Sequence, residues 1–91
     1  MPKREVLIGS SIGIHARPAA VIVKAASSSG ARITIGRPGE KAFNAASLLS
    51  IMQGGFKFGE RVEITVTDHS ESERILNQIV DIVASDLDDG S

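Results

Sequence analysis

The stretch RVEITVT, residues 61–67, alternates apolar and polar side chains over its whole length. Val62, Ile64 and Val66 fall on one face of an extended chain, and the polar residues between them fall on the other face. This pattern predicts a strand with one buried and one solvated side. Strands of an all-parallel sheet are buried on both sides, so the pattern favours a mainly antiparallel sheet with helices on one side only.

The segments on either side of this strand are predicted to be helices. Residues 47–53 form a short apolar segment that ends at two glycines, and Ser47 is suited to be its N-cap. After the strand, Ser70 and Glu73 fit a capping box, and an apolar stripe at helical spacing follows them. The stripe consists of Ile75, Leu76, Ile79, Ile82 and Val83.

The first half of the chain supplies the remaining strands and a longer helix. Residues 4–8 predict a strand, and residues 16–27 predict a helix that ends near Gly30. Residues 32–35 and 41–43 flank a Pro-Gly pair that is typical of a type II turn, so they predict a hairpin. The predicted fold is therefore a two-layer α/β sandwich with four mainly antiparallel strands under three helices.

Length and composition limit the classes of protein. Ninety-one residues with 42% apolar content fit a single domain over residues 1–91, with 86–91 as a frayed acidic tail. The absence of cysteine excludes a disulfide framework and a thiolate metal site. No segment has the length of a signal-peptide core or a membrane span, so we expect a cytoplasmic protein.

The charges are unevenly distributed along the chain. Residues 1–61 contain nine Lys or Arg and three Asp or Glu, whereas residues 62–91 contain one Arg and eight acids. This asymmetry suggests a basic face that steers an acidic partner towards the first half of the chain. Accidental segregation on a solvated surface explains the same numbers equally well.

The segment GIHARPAA, residues 13–20, places a histidine where a helix is predicted to begin. The first N–H groups of a helix lack intrahelical partners and carry the positive end of the helix dipole, so anions bind there. With His15 at the N-cap, the N–H groups of Ala16 and Arg17 can point at a phosphate on its ring. Pro18 suits the first turn, because its missing N–H would have had no partner.

Arg17 adds a guanidinium group that can bind phosphate oxygens and stabilise a phosphoryl group in transit. Neutral histidine is a suitable nucleophile near neutral pH. The alternative is that His15 is a polar cap and Arg17 a solvated side chain, and spacing alone favours this alternative. His69 is predicted to be a surface or capping residue, and two distant histidines without cysteine do not indicate a metal site.

The sequence resembles the HPr family, the histidine-containing phosphocarrier proteins of the bacterial phosphoenolpyruvate-dependent sugar phosphotransferase system. GIHARPA resembles the active-site signature of the family, and NAASLLSIMQGG with the following FKFGERVEI resembles its second motif. Both motifs occur in register. The resemblance implies an open-faced β-sandwich, no metal, no bound cofactor, and a carrier with a transient phosphohistidine rather than a stand-alone enzyme.

The resemblance also implies roles for individual residues. His15 would accept a phosphoryl group from enzyme I on its Nδ1 atom and pass it to a histidine of a sugar-specific IIA domain, with Arg17 stabilising charge. The docking patch would comprise residues of the first and second helices beside His15. These are Ala20, Lys24, Leu48, Leu49 and Met52.

Three features of the second motif and the loop before the histidine leave alternatives open. Leu48, Ile51 and Met52 also have the spacing of core residues, and we expect Ile51 inside and Leu49 outside. Ser47 matches a serine that HPr kinase/phosphorylase phosphorylates in many members, which changes affinity for enzyme I and for a transcriptional regulator. Ala46 departs from the lysine that such members often carry. Ile12 stands where many members have a small polar residue, so the loop would offer the phosphohistidine one hydrogen bond fewer unless Ser11 substitutes, and no loss of function is expected.

Other function classes fit the sequence less well. An HPr-like carrier in a regulatory phosphorelay would use the same residues, so the sequence does not separate it from a sugar-transport role. The three phenylalanines lie outside the predicted first and last strands, so no stacking platform for nucleic acid is expected. No Walker-type loop or catalytic carboxylate pair supports a kinase or phosphatase. We expect a monomer that does not insert into membranes.

Overall fold

A computed structural model describes residues 2–11, 13–67 and 69–85. The elements, in chain order, are β1 (Lys3–Leu7), α1 (Ala16–Ser29), β2 (Arg32–Gly36), β3 (Ala42–Asn44), α2 (Leu48–Gly54), β4 (Arg61–Thr67) and α3 (Ser72–Ala84). The strands form one antiparallel sheet in the order β1-β4-β2-β3. The predicted element order and the predicted open-faced sandwich are confirmed.

Strand β4 lies inside the sheet and has the two faces that its sequence predicts. Val62, Ile64 and Val66 are fully buried, whereas the side chains between them are only half-buried. On the solvated face Glu5 of β1 lies opposite Glu63 of β4. Lys3 lies 4.0 Å from Glu63, and Arg61 lies 3.2 Å from Glu5. These diagonal ion pairs offset the repulsion between the two carboxylates that face each other.

The core lies between the sheet and the three helices. Its largest fully buried side chains are branched aliphatic residues from every layer, which pack into a single cluster. They include Ile8, Ile22, Ile33, Ile35, Ile51, Ile64, Ile75, Leu76 and Ile79. Burial of a side chain of this size stabilises the fold by about 2 kcal/mol, so the apolar stripes decide which side of each helix faces the sheet.

The turns follow the sequence signals in the first half of the chain. Gly30 ends α1 with φ 75°, the left-handed cap expected of it. In the hairpin, Glu40 N–H donates to Arg37 C=O at 3.0 Å and Gly39 has φ 78°. This is the type II turn that the Pro-Gly pair predicts.

The predicted capping box at the start of α3 is wrong. The helix begins at Ser72 with Glu71 at the N-cap position, and no side chain at that position caps it. The ring of His69 instead accepts the Glu71 N–H on Nδ1 at 3.0 Å. The Glu71 carboxylate pairs with Arg74. His69 thus provides an acceptor at this turn, but for the Glu71 N–H rather than for the Glu73 N–H that the capping box would use.

Two sequence predictions lie outside the described residues, namely the acidic tail at 86–91 and the effect of Ile12 on the loop. Within residues 2–11, 13–67 and 69–85, none of the helices combines the length and the apolar character needed to span a bilayer. The remaining predictions concern the surface around the start of α1.

Candidate functional site

His15 is the N-cap residue of α1. Its backbone is extended, with φ −102° and ψ −166°, and its ring makes no capping hydrogen bond. The first bond within the helix runs from Ala19 N–H to His15 C=O, at 3.0 Å. The N–H groups of Ala16 and Arg17 precede that bond, and Pro18 has no N–H group. This is the geometry that an anion site on this helix requires.

The loop that leads to His15 is held at both ends by backbone hydrogen bonds. At its start, Gly9 N–H donates to the carbonyl of Val83 near the end of α3, at 3.0 Å. Next to the histidine, Ile14 N–H donates to the carbonyl of Phe56 in the segment after α2, also at 3.0 Å. The position of His15 therefore depends on two other parts of the chain.

Two glycines of this loop are required by close backbone contacts. A Cβ atom on Gly9 would lie 1.8 Å from the carbonyl oxygen of Ala84, and one on Gly13 would lie 2.6 Å from the carbonyl oxygen of Phe56. Gly13 also has φ 81°, which favours glycine. Sequence reasoning missed these contacts, because the contacting carbonyls are distant in sequence.

Helix α2 packs beside α1 and resolves the alternatives left open for its apolar residues. Ile51 is fully buried, whereas the side chains of Leu48, Leu49 and Met52 are 45%, 69% and 42% exposed. The prediction that Ile51 lies inside and Leu49 outside is confirmed. Three large apolar side chains thus remain on the surface of a seven-residue helix.

Ser47 is the N-cap of α2, as predicted. Its Oγ accepts the Ser50 N–H at 3.2 Å. The helix therefore begins as the sequence predicts, with Ser47 at its N-terminal end and Gly55 in a left-handed C-cap at the other end.

The two predicted docking residues of α1, Ala20 and Lys24, are exposed. Lys24 also lines a groove of about 280 Å³ between α1 and α3, together with Val21 and Gln78. Val21 of α1 and Phe58 in the segment after α2 are further large apolar side chains on the surface that sequence reasoning did not name. Exposure at these positions depends on tertiary packing, which spacing alone does not define.

Sequence reasoning missed a set of contacts that connects the hairpin turn to the segment after α2. We call these contacts of Arg37 with Glu60, Gly54 and Gly55 the buttress. Arg37 donates from Nε to Glu60 Oε2 at 2.7 Å and from Nη2 to Glu60 Oε1 at 2.9 Å. It also donates to the carbonyls of Gly54 and Gly55, at 3.0 and 3.1 Å. The sequence showed Arg37 only as a turn residue, 23 positions before its partner.

The ion pair between Arg37 and Glu60 shifts the pKa of both side chains. The pKa of Glu60 is lowered to about 2, chiefly by the hydrogen bond from Arg37 and next by that from the Lys57 N–H. The same hydrogen bond raises the pKa of Arg37 further above its ordinary value. Both groups are therefore charged across the physiological pH range.

The comparisons with known proteins agree with this fold. Residues 2–85 match the family described as PTS HPr component phosphorylation site. The chain belongs to the HPr family. The phosphocarrier protein HPr of Streptomyces coelicolor is 34% identical over 89 residues, which cover 98% of this chain and 95% of that protein.

Solved HPr structures show the same architecture. The crystal structure of HPr from Bacillus anthracis str. Ames has a TM-score of 0.82 and 32% identity, covering 90% of this chain and 95% of that one. An HPr dimer from Thermoanaerobacter tengcongensis has a TM-score of 0.67 and 32% identity, covering 78% of this chain and 79% of that one. The resemblance found in the two motifs is thus confirmed at the level of the family.

In this HPr-family chain, the described residues contain no group of three or more His, Cys, Asp or Glu side chains that could hold a metal ion. The groups around the start of α1 are instead an imidazole, a guanidinium and backbone N–H groups. This set can present a nucleophilic nitrogen and bind the oxygens of a phosphoryl group. The roles of the individual residues remain predictions.

Proposed function

We propose that this chain is a cytoplasmic phosphocarrier that accepts a phosphoryl group on His15 from phosphorylated enzyme I. It then donates the group to a histidine of a sugar-specific IIA domain. The supporting observation is the position of His15 at the N-cap of α1, where its ring makes no capping hydrogen bond and the first N–H groups precede the intrahelical bonds. Family membership supplies the class of partner.

The transfer step replaces one phosphorus–nitrogen bond with another. The Nδ1 lone pair of neutral His15 attacks phosphorus while the bond to the donor histidine breaks. The electron pair of that bond returns to the donor ring, which leaves as neutral imidazole because its other nitrogen carries a proton. The phosphorylated His15 ring still holds the proton on Nε2 and can release it to solvent. No oxidant, reductant or cofactor is needed. The site therefore acts by positioning the two rings and by stabilising charge on the three oxygens of the phosphoryl group.

Arg17 and the start of α1 provide the charge stabilisation. The Arg17 side chain is exposed, so it can swing to an incoming phosphoryl group and bind its oxygens. The N–H groups of Ala16 and Arg17 supply two more donors, aided by the helix dipole. Both interactions grow as negative charge develops, which lowers the barrier rather than only the energy of the bound state.

The decisive experiment is incubation with enzyme I and labelled phosphoenolpyruvate. We expect acid-labile, base-stable label on the wild type and none on His15→Ala. His69→Ala is the matched control, because it removes the other histidine of the chain and should keep the label. An unlabelled wild type, or a labelled His15→Ala, would refute the proposal.

The partner surface of this proposal consists of Ala20, Lys24, Leu48, Leu49 and Met52. Exposed apolar side chains that adjoin a charged site are typical of a protein-binding surface, and methionine adapts to several partners. We propose a monomer, because the edge strands β1 and β3 have only five and three residues and Lys3 and Arg4 discourage edge pairing. A dimer in sedimentation equilibrium at micromolar concentration would contradict this.

Ser47 is the proposed regulatory residue. A phosphate on its hydroxyl would meet N–H groups at the start of α2, where Ser50 N–H already donates to Oγ. It would also place negative charge next to Leu48 in the proposed docking patch and so weaken binding of enzyme I. The test is ATP-dependent labelling by HPr kinase/phosphorylase, with Ser50→Ala as the control. Absence of label on Ser47 would remove this regulatory role.

A further inference from the structure

We propose that Arg37 is a positioning residue for phosphoryl transfer at His15. Together with Glu60 it holds residues 54–60 in one conformation, and the carbonyl of Phe56 in that segment fixes the backbone next to His15. This inference rests on the proposed function of His15. It assigns a role in transfer to a turn residue that lies between the two motifs in the sequence.

The first step is the contact between Arg37 and the end of α2. Its guanidinium uses four of its five N–H donors, two on the Glu60 carboxylate and one each on the carbonyls of Gly54 and Gly55. Those carbonyls belong to the last turn and the C-cap of α2, which carry the negative end of the helix dipole. One side chain thus satisfies the end of the helix and the carboxylate together.

The second step is the segment between those two attachment points. Glu60 Oε1 also accepts the Lys57 N–H at 2.7 Å, which closes the turn that precedes β4. The Phe56 ring lies under the guanidinium of Arg37, 4.9 Å from it, and meets the Phe43 ring edge to face at 5.8 Å. Phe56 is therefore held by its ring and by both neighbouring turns.

The third step is the contact between Phe56 and the residues just before His15. The Phe56 carbonyl accepts the Ile14 N–H, and the same oxygen lies 2.6 Å from the position that a Cβ atom on Gly13 would take. A shift of this carbonyl must move the two residues that precede His15. Because a displacement of about 1 Å can cost a hundredfold in rate, the position of Phe56 bears directly on the transfer step.

This arrangement needs the planar guanidinium of arginine with its several N–H donors, and the ammonium group of lysine would not replace it. Exposed ion pairs usually contribute little, but this pair is bidentate, and its side chains are only 26% and 30% exposed. Lysine would keep the charge without the planar donors that reach carboxylate and carbonyls at once. We therefore expect Arg37→Lys to behave more like Arg37→Gln than like the wild type.

The experiment compares Arg37→Gln with Arg61→Gln as a matched control. Arg61 forms an exposed ion pair with Glu5 on the solvated face of the sheet, so its loss changes net charge equally and leaves residues 54–60 intact. The first readout is the rate of phosphoryl transfer from enzyme I, resolved into kcat and KM. The second is hydrogen exchange of the Ile14 amide, measured by NMR on the unphosphorylated protein.

We expect Arg37→Gln to lower kcat by about tenfold, since the reacting nitrogen is misplaced, with KM nearly unchanged and faster exchange at Ile14. Arg61→Gln should leave kcat and Ile14 exchange as in the wild type. Wild-type kcat in folded Arg37→Gln would overturn the inference. A lower kcat with unaltered Ile14 exchange, or an equal loss in Arg61→Gln, would also overturn it.

Glu60→Gln provides the second test should Arg37→Gln fail to fold. It removes the carboxylate and leaves the guanidinium on the two carbonyls, so the same changes are expected at smaller size, and wild-type values for both readouts would refute the role. The exchange measurement needs no phosphoryl donor. If the wild type accepts no phosphoryl group, the proposed function fails, whereas unaltered Ile14 exchange in these variants defeats the positioning role alone.

Discussion

The two histidines of the chain both lie at a helix start, yet only one of them is engaged in capping. The ring of His69 accepts the Glu71 N–H just before α3, whereas the ring of His15 makes no capping hydrogen bond at the start of α1. Histidine at a helix start is therefore not in itself a functional signal. What distinguishes the positions is whether the imidazole is used to satisfy the helix.

The two positions also differ in their surroundings. β4 begins at Arg61, directly after the turn that is held by Glu60, and ends at Thr67 just before His69. Seven residues of strand span about 23 Å, so His69 lies at the opposite end of the sheet from the segment that bonds Ile14. His15, by contrast, follows a loop that is held by backbone hydrogen bonds to Val83 and Phe56.

Converting His15 into a capping residue should remove the difference between the two histidine positions and have the greatest consequence for function. His15→Ser removes the phosphoryl acceptor, so label from enzyme I should be lost completely. A serine at the N-cap should raise the free energy of unfolding by about 1 kcal/mol, because it caps better than histidine. Urea denaturation measures this. His69→Ser is the control and should keep its label; a less stable His15→Ser would mean that the His15 ring stabilises the helix.

The loop before His15 should tolerate substitution far less than an open turn. Gly13→Ala places a Cβ atom against the carbonyl of Phe56 at positive φ, so we expect a loss of about 3 kcal/mol from overpacking and backbone strain. Gly59 has φ 80° but open space around it, so Gly59→Ala should cost about 1 kcal/mol. Equal losses in urea denaturation would show that the close contact contributes nothing.

Acid should weaken the buttress that holds the loop before His15. The folded-state pKa of Glu60 lies below its ordinary value, at about 2, so its contribution is complete above pH 4.5 and is lost as pH falls towards 2. After allowance for solvent screening the loss should be about 1 kcal/mol. Denaturation at pH 5 and pH 2 measures it. Glu60→Gln should show a smaller decrease over this range; an equal decrease would assign the effect to other carboxyl groups.

The last and weakest change concerns the proposed docking patch. Leu49 is 69% exposed, so Leu49→Ala should change stability by less than about 0.5 kcal/mol while raising the KM for enzyme I about fivefold, equivalent to about 1 kcal/mol of binding. Ile51→Ala is the contrasting variant, because it empties a buried position and should cost about 3 kcal/mol of stability. An unchanged KM in Leu49→Ala would remove Leu49 from the docking patch.

Much of this architecture could be predicted because its signals are local. Alternation in 61–67, the Pro-Gly turn and the Ser47 N-cap each depend on residues within a few positions of one another, and all three occur in the structure. The failed capping box at α3 shows the limit of such patterns. Ser70 and Glu73 had the correct spacing, but the helix begins one residue later than that pattern requires, with Glu71 at the N-cap and its N–H bonded to the His69 ring.

Spacing along the chain is enough to define the order of strands and helices, the apolar side of each, and the histidine at the start of α1. The surroundings of that histidine depend instead on tertiary contacts. The Arg37 contacts with Glu60 and α2, and the Phe56 carbonyl against Gly13 and Ile14, join residues far apart in sequence. No local periodicity encodes such contacts, since they form only when the turns are brought together by burial of a shared core.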